Sequence, residues 1–118
     1  MTEPAPFSVT QDRSDPLATV VTPVGEIDLA TAPELGERLR DAVDRDDAVV
    51  VDLSHVTFID SSGFRVLHET AGTTSTVLVV PPGSPVARAL AIAGLGQLVP
   101  VVDAVEHAKR HLKSEQPG

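Results

Sequence analysis

The residue types best suited to chemistry sit together in Asp60-Ser61-Ser62-Gly63, where an extended apolar segment beginning at Val56 gives way to a helical pattern reaching Leu67. Asp and Ser are favoured just ahead of a helix because their side-chain oxygens accept hydrogen bonds from backbone N–H groups that have no intrahelical partner. Gly63 removes a Cβ where another group needs to come close to the backbone. Unpaired N–H groups and the positive end of the helix dipole also favour an anion, including a phosphate carried by one of the serines themselves. The same four residues serve equally well as an ordinary helix cap, so their surroundings must decide between the two roles.

Catalytic arrangements find little support. Ser61 or Ser62 can be combined on paper with His55 or His68 and a carboxylate, but the Gly-x-Ser-x-Gly elbow of a hydrolase is missing. His68-Glu69 resembles half of a zinc-protease helix, yet Gly72 stands where the second histidine belongs. His107 and His111 lie one helical turn apart and lack a third ligand nearby in the sequence, which leaves them as solvated side chains. No Gly-x-x-x-x-Gly-Lys loop occurs, and Gly94 and Gly96 read as a helix stop and turn. With no cysteine in the chain, disulfides, thiol nucleophiles and cysteine zinc sites are excluded. The residues therefore point to no catalytic group, no metal and no cofactor.

A chain of 118 residues is expected to form one domain, and folding at that length buries roughly two thirds of the unfolded surface. Its core material is aliphatic, since there are three Phe and no Trp or Tyr. A net charge of −8 opposes nucleic-acid binding, which relies on Lys and Arg displacing counterions from phosphates, and suits a basic protein partner better. The opening Met-Thr-Glu-Pro has no basic or apolar leader character. Every later apolar run is much shorter than the roughly 20 residues of a spanning helix, so no membrane insertion and a cytoplasmic location are expected.

Positioning this junction falls to an alternation of strands and helices. Phe7–Thr10 and the Val- and Thr-rich Leu17–Val24 are expected as a hairpin, with Pro23 near a strand end or edge. Gly25-Glu26-Ile27-Asp28 closes the second strand. Thr31-Ala32-Pro33-Glu34 then reads as a capping box for a helix over 32–44 that buries Leu35, Leu39, Ala42 and Val43. After the charged turn Asp44–Asp47, Ala48–Leu53 has the unbroken apolar character of a central strand. Ser54–Ile59 leads to Asp60 and a helix over 62–71, with Phe64, Leu67 and Ala71 inward, that Gly72 ends. Val77–Val80 is a further strand. Ser84-Pro85 starts a helix stopped by Gly94, with Leu90 and either Val86 or Ala93 inward, and Leu98–Val102 is the last strand. Asp103-Ala104-Val105-Glu106 resembles another capping box, opening a helix whose final turn holds Lys109, Arg110, His111 and Lys113. The class is α/β: a small mixed sheet of about five strands flanked by about four helices. Flexible tails are expected at 1–6 and 114–118, with the domain between them at 7–113.

Gly25-Glu26-Ile27-Asp28, Ala32-Pro33-Glu34-Leu35, Val50-Val51-Asp52-Leu53 and Phe58-Ile59-Asp60-Ser61-Ser62-Gly63 together resemble the STAS family, specifically its stand-alone bacterial anti-sigma factor antagonists. Pro85, Leu90 and Ala93-Gly94-Leu95 add to the likeness, which covers about residues 7–112. Two departures stand out. Gly72–Thr76 replaces a longer, usually basic or glycine-rich connector, and Phe64 stands where Leu is usual.

The resemblance implies a single STAS domain and a binding switch rather than an enzyme. Its partner would be an anti-sigma factor with a histidine-kinase-like ATPase fold, bound so that the sigma factor is released. That partner would phosphorylate Ser61, a serine phosphatase would reverse the modification, and ATP and magnesium would belong to the kinase alone. Asp28 and Asp60 match the acidic positions beside the phosphorylated serine, and Ser62 and Gly63 match the rim of the partner-binding surface. Alternatives are a STAS subunit of another assembly, such as a lipid-transport accessory protein or signalling scaffold, or a small hydrolase, against which the missing elbow speaks.

Overall fold

The computed structural model describes residues 6–45 and 47–115. The first strand, β1, spans Ser8–Asp12 and pairs antiparallel with β2, Ala18–Ile27, as the expected hairpin. Then come α1 (Ala32–Asp44), β3 (Ala48–Asp52), β4 (Val56–Ile59), α2 (Ser61–Ala71), β5 (Thr76–Val79), α3 (Pro85–Ala93), a single 3-10 turn at Leu95–Gln97, β6 (Val101–Val102) and α4 (Val105–Glu115). The strand order is β1-β2-β3-β5-β6, and β4 pairs with β2 beside this path. All pairings except the hairpin are parallel.

Two strands depart from expectation. The segment ahead of Asp60 is a strand in its own right, which brings the sheet to six strands. The last strand shrinks to two residues, the Leu98–Pro100 part of the expected run lying outside it. β2 serves two neighbours in turn: Ala18–Val21 lies against β3 and Gly25–Ile27 against β4, with a shift of register between Gly25 and Glu26. Gly25 has a φ of 107°, a conformation that a side chain would strain, and it forms the joint between the two registers. Pro23 lies inside β2 rather than at its end, but it occupies the gap between those two pairings.

Side-chain alternation along the central strands divides the core. Val49, Val51 and Leu78 face α1, α2 and α3 together with Leu35, Leu39 and Leu67, while Val50, Val77 and Val79 face α4 through Ala108 and Leu112. Val43 is only half-buried at the margin of the α1 stripe, and Thr70 is buried in α2 by returning its hydroxyl to the Val66 carbonyl. Of the two choices in α3, Val86 is buried and Ala93 is exposed. Gly94 closes α3 in the left-handed conformation, and Ser84 caps its start by accepting from Ala87 N. The helix α4 continues through Glu115, two residues beyond the expected domain end. The tails expected at 1–6 and 114–118 otherwise lie outside the described residues, apart from Pro6.

At the amino ends of the strands, the buried Thr19 hydroxyl donates to Asp47 Oδ2 at 2.7 Å, and Arg45 Nε donates to the same oxygen at 3.2 Å. Thr74 adds a bond from its hydroxyl to the Asp47 carbonyl at 2.9 Å. The Thr19 hydroxyl first, and then Arg45, hold the Asp47 carboxyl below the ordinary carboxylate range against the opposing effect of burial. Because the folded value is the lower one, this stabilisation is present above the unfolded pKa and is lost as pH falls through the folded value. Asp47→Ala leaves the Thr19 hydroxyl without its acceptor and should cost about 1–3 kcal/mol in urea unfolding at neutral pH. The difference from wild type should narrow in acid. A constant difference down to the acid limit would disprove the pairing.

Candidate functional site

The pairing of β2 with β4 sets Ile27 beside Ile59, and Asp60 N donates to the Ile27 carbonyl at 3.1 Å. The next residue on each strand is an aspartate, Asp28 on one and Asp60 on the other. Two acidic side chains separated by more than thirty positions are thereby delivered to the same carboxyl end of the sheet.

Asp60 keeps an extended backbone and caps α2, its Oδ1 accepting from Ser62 N at 2.9 Å while its carbonyl accepts from Phe64 N at 3.1 Å. Ser61 is therefore the first helical residue. Its side chain is exposed, and its hydroxyl makes no hydrogen bond with any described residue. Ser62, one position further in, is half-buried. Gly63 is buried, so it does not form part of the exposed rim implied for it. A Cβ there would lie 2.7 Å from Ile27 Cγ2 and from Ile59 Cγ1. Its absence lets α2 settle directly on the paired strand ends.

Asp28 organises the loop opposite. Its Oδ1 accepts from Ala30 N at 3.0 Å and Thr31 N at 3.1 Å. Thr31 turns back, accepting from Asp28 N at 2.9 Å and donating to the Glu26 carbonyl at 2.8 Å, and its side chain does not cap α1. The expected Thr31–Glu34 capping box is thus replaced by an aspartate-centred turn: Asp28 takes the Thr31 N–H, the Thr31 hydroxyl is turned back toward Glu26, and Glu34 N donates to the Thr31 carbonyl instead. At the start of α4, Asp103 is likewise engaged with the His107 ring.

Between loop and helix lies a groove of about 360 Å³ lined by Leu29, Ala32, Pro33, Ser61, Ser62, Arg65 and Val66. Leu29 is 79% exposed at its edge, and Phe58 on β4 is also exposed. Arg65 follows Ser61 by one turn of α2 and is exposed. A second groove of about 590 Å³ continues between α1 and α2, sharing Ala32, Pro33 and Val66 with the first. Sequence reasoning missed Leu29, Phe58 and Arg65. The available signals were an apolar residue in a loop directly after Asp28 and a cation four positions after Ser61.

The other paper constellations are not assembled. His55 precedes β4 and Ser61 follows it, so they sit at opposite ends of that strand. His68 is exposed and lies two turns along α2 from Ser61. His107 contacts Asp103 and His111 contacts Glu115 at 3.1 Å, and no group of three His, Asp or Glu side chains suited to a metal occurs among the described residues. What the Ser61 surface offers is a free hydroxyl at a helix N-terminus, flanked by two carboxylates, one guanidinium and exposed apolar side chains.

That fold and motif have clear relatives. Residues 9–108 match the STAS domain family, and the chain belongs to it. It is 38% identical over 96 residues to the anti-sigma-F factor antagonist RsfB of Mycobacterium tuberculosis, an alignment that spans 77% of this chain and 79% of RsfB. Its structure superposes on an anti-sigma factor antagonist from Mycobacterium paratuberculosis with a TM-score of 0.85 at 26% identity, covering 96% of this chain and 99% of that one. The fold is also shared with the anti-sigma factor antagonist SpoIIAA in its unphosphorylated form, with a TM-score of 0.67 at 18% identity over 92% of this chain and 100% of SpoIIAA.

Gly63→Ala tests the packing that joins these parts. The added Cβ must displace two buried isoleucines, and overpacking of this kind costs about 1–3 kcal/mol. Thermal unfolding should shift down by several degrees although alanine is the better helix former. An unchanged or raised midpoint would show that Gly63 does not set the distance between α2 and the strand ends.

Proposed function

We propose that this chain is an anti-sigma factor antagonist: it binds an anti-sigma factor through the surface around Ser61 and thereby frees the sigma factor, and phosphorylation of Ser61 switches it off. The observation that carries this reading is the exposed Ser61 hydroxyl at the first position of α2, unbonded among the described residues, beside Leu29 and at the same end of the sheet as Asp28 in a chain of the STAS family. The similarity to RsfB supports the choice of partner. In this reading the anti-sigma factor has a histidine-kinase-like ATPase fold and supplies ATP and magnesium, a serine phosphatase restores the hydroxyl, and the chain itself acts by binding rather than by catalysis. Asp28, Asp60 and Ser62 contribute to the contact surface, and Gly63 supports it from below. A cytoplasmic site of action fits these partners, and no described helix is long and apolar enough to cross a membrane.

The energetics explain how a phosphate discriminates between complex and fold. It adds about −1.5 to −2 charges at neutral pH. A helix N-terminus offsets this by about 0.3–1 kcal/mol, and Arg65 one turn away lies close enough to assist. Asp28 and Asp60 oppose the added charge. Inside the free protein the dianion stays solvated, whereas an interface closed over the neutral hydroxyl would have to desolvate it. Each 1.4 kcal/mol so lost weakens binding about tenfold.

The test is incubation with the partner anti-sigma factor and Mg-ATP, followed by peptide mass mapping and a binding assay. Modification should fall on Ser61 alone. Ser61→Ala should abolish it and retain binding, and Ser61→Asp should weaken binding, though by less than phosphate because one carboxylate carries less charge. Phosphate confined to Ser62, or phospho-Ser61 protein that binds as tightly as the unmodified chain, would refute the assignment.

A further inference from the structure

Arg65 is the one charged residue, among the described residues, in the lining of the groove that holds Ser61 and Ser62. It is exposed and makes no hydrogen bond or ion pair with any described residue, whereas Arg45 and Lys109 are engaged with carboxylates. Four positions separate it from Ser61 on α2, so the two side chains lie one above the other on the same face of the helix. Glu69 stands at the same spacing on the other side and would be the ordinary ion-pair partner, but that pair is not formed. Helical side chains lean toward the amino end of their helix, which carries the guanidinium over the turn of Ser61 and away from Glu69. The two grooves record this direction: Arg65 lines the one with Ser61, and Glu69 lines the other, between α1 and α2.

We propose that Arg65 is the receptor for the Ser61 phosphate within this chain: its guanidinium closes onto the phosphate oxygens and holds the modified side chain along the face of α2. The inference rests on the reading above that Ser61 is the modified residue. A guanidinium suits the task, because its planar fork of N–H donors matches the oxygens of a phosphate, whereas the unmodified hydroxyl offers it a single uncharged acceptor. The nearby carboxylates do not compete. Asp28 and Asp60 each direct Oδ1 to backbone N–H groups, and neither pairs with Arg65.

Modification then changes this surface twice. It adds the phosphate charge, and it withdraws the one cation that the groove presents to a docked protein. The groove passes from displaying a free guanidinium to displaying a phosphate already paired within its own helix.

The test uses the full chain made with phosphoserine installed at position 61, so that no kinase is needed. A partner that fails to modify Ser61 would count against the proposed function and leave this measurement standing. Phosphorus NMR follows the second ionisation of the phosphate with Arg65 present and in the Arg65→Gln variant. Asp28, Asp60, Glu34 in the first turn of α1, and His68 two turns along α2 are common to both proteins, so the difference between them isolates Arg65. Pairing favours the dianion, and the phosphate pKa should be lower with Arg65 than with Gln by about 0.3–0.7 pH unit, equivalent to two- to fivefold in the equilibrium. The Arg65 Nε–H resonance should move on modification, while those of the exposed Arg40 and Arg88 stay in place. Because Arg65 is exposed, unmodified Arg65→Gln should melt at the wild-type temperature. Equal phosphate pKa values in the two proteins, or an Arg65 resonance that does not respond to the phosphate, would overturn the proposal.

Discussion

The alignment of Ile27 with Ile59 is the constraint on which the site depends. A single parallel pairing at the ends of β2 and β4, closed by the hydrogen bond from Asp60 N to the Ile27 carbonyl, decides that Asp28 and Asp60 emerge side by side. Packing reinforces it, because Gly63 brings α2 down onto these same two isoleucines. The end of β2 can serve β4 because Gly25 adopts a positive φ and lets the strand change register after leaving β3. An exposed serine on α2 is thus held by buried aliphatic contacts underneath it.

The two ends of the sheet divide the work. At the amino ends, Asp47 ties the turn after α1 to Thr19 at the start of β2 and to Thr74 ahead of β5, through bonds made within the chain. At the carboxyl ends the hydrogen bonds shape loops but leave Ser61 open, in keeping with the tendency of parallel α/β sheets to place their binding surfaces there. Asp60 illustrates the separation of roles. By taking Ser62 N it satisfies the helix start, so the Ser61 side chain is not needed as a cap. A group released from structural duty can change its charge with little effect on folding and a large effect on anything docked against it.

Much of this was legible in the residues. Helix α1 begins and ends where Pro33 in the first turn and the Leu35, Leu39 stripe place it, and the Asp60 cap and the Ser84-Pro85 start to α3 follow from local chemistry. β4 was read as an extended lead into α2 and not counted as a strand of the sheet, since it has only four residues and the two in the middle, Thr57 and Phe58, are exposed. The capping box at Thr31 failed because Asp28, three residues upstream, takes the Thr31 N–H while the Thr31 hydroxyl turns back to the Glu26 carbonyl, an outcome that depends on loop geometry rather than composition. Gly63 was read as a place where another group comes close to the backbone, and that group proves to be two isoleucines from different strands, a contact that only the tertiary pairing creates. Leu29 and Arg65 escaped notice for a related reason, since neither has a role until the 28–31 loop and α2 lie next to each other.

The central claim is that Ser61 can take a phosphate while the pairing beneath it stays as it is, so that only the surface changes. Amide hydrogen exchange on the unmodified and the Ser61-phosphorylated chain measures this residue by residue. Protection of Ile27, Ile59 and the body of α2 should be the same in both forms, with changes limited to the 28–31 loop and the first turn of α2. Loss of protection running through α2 and into β2 and β4 would contradict the account, because the phosphate would then act by unfolding the site rather than by altering the charge it presents.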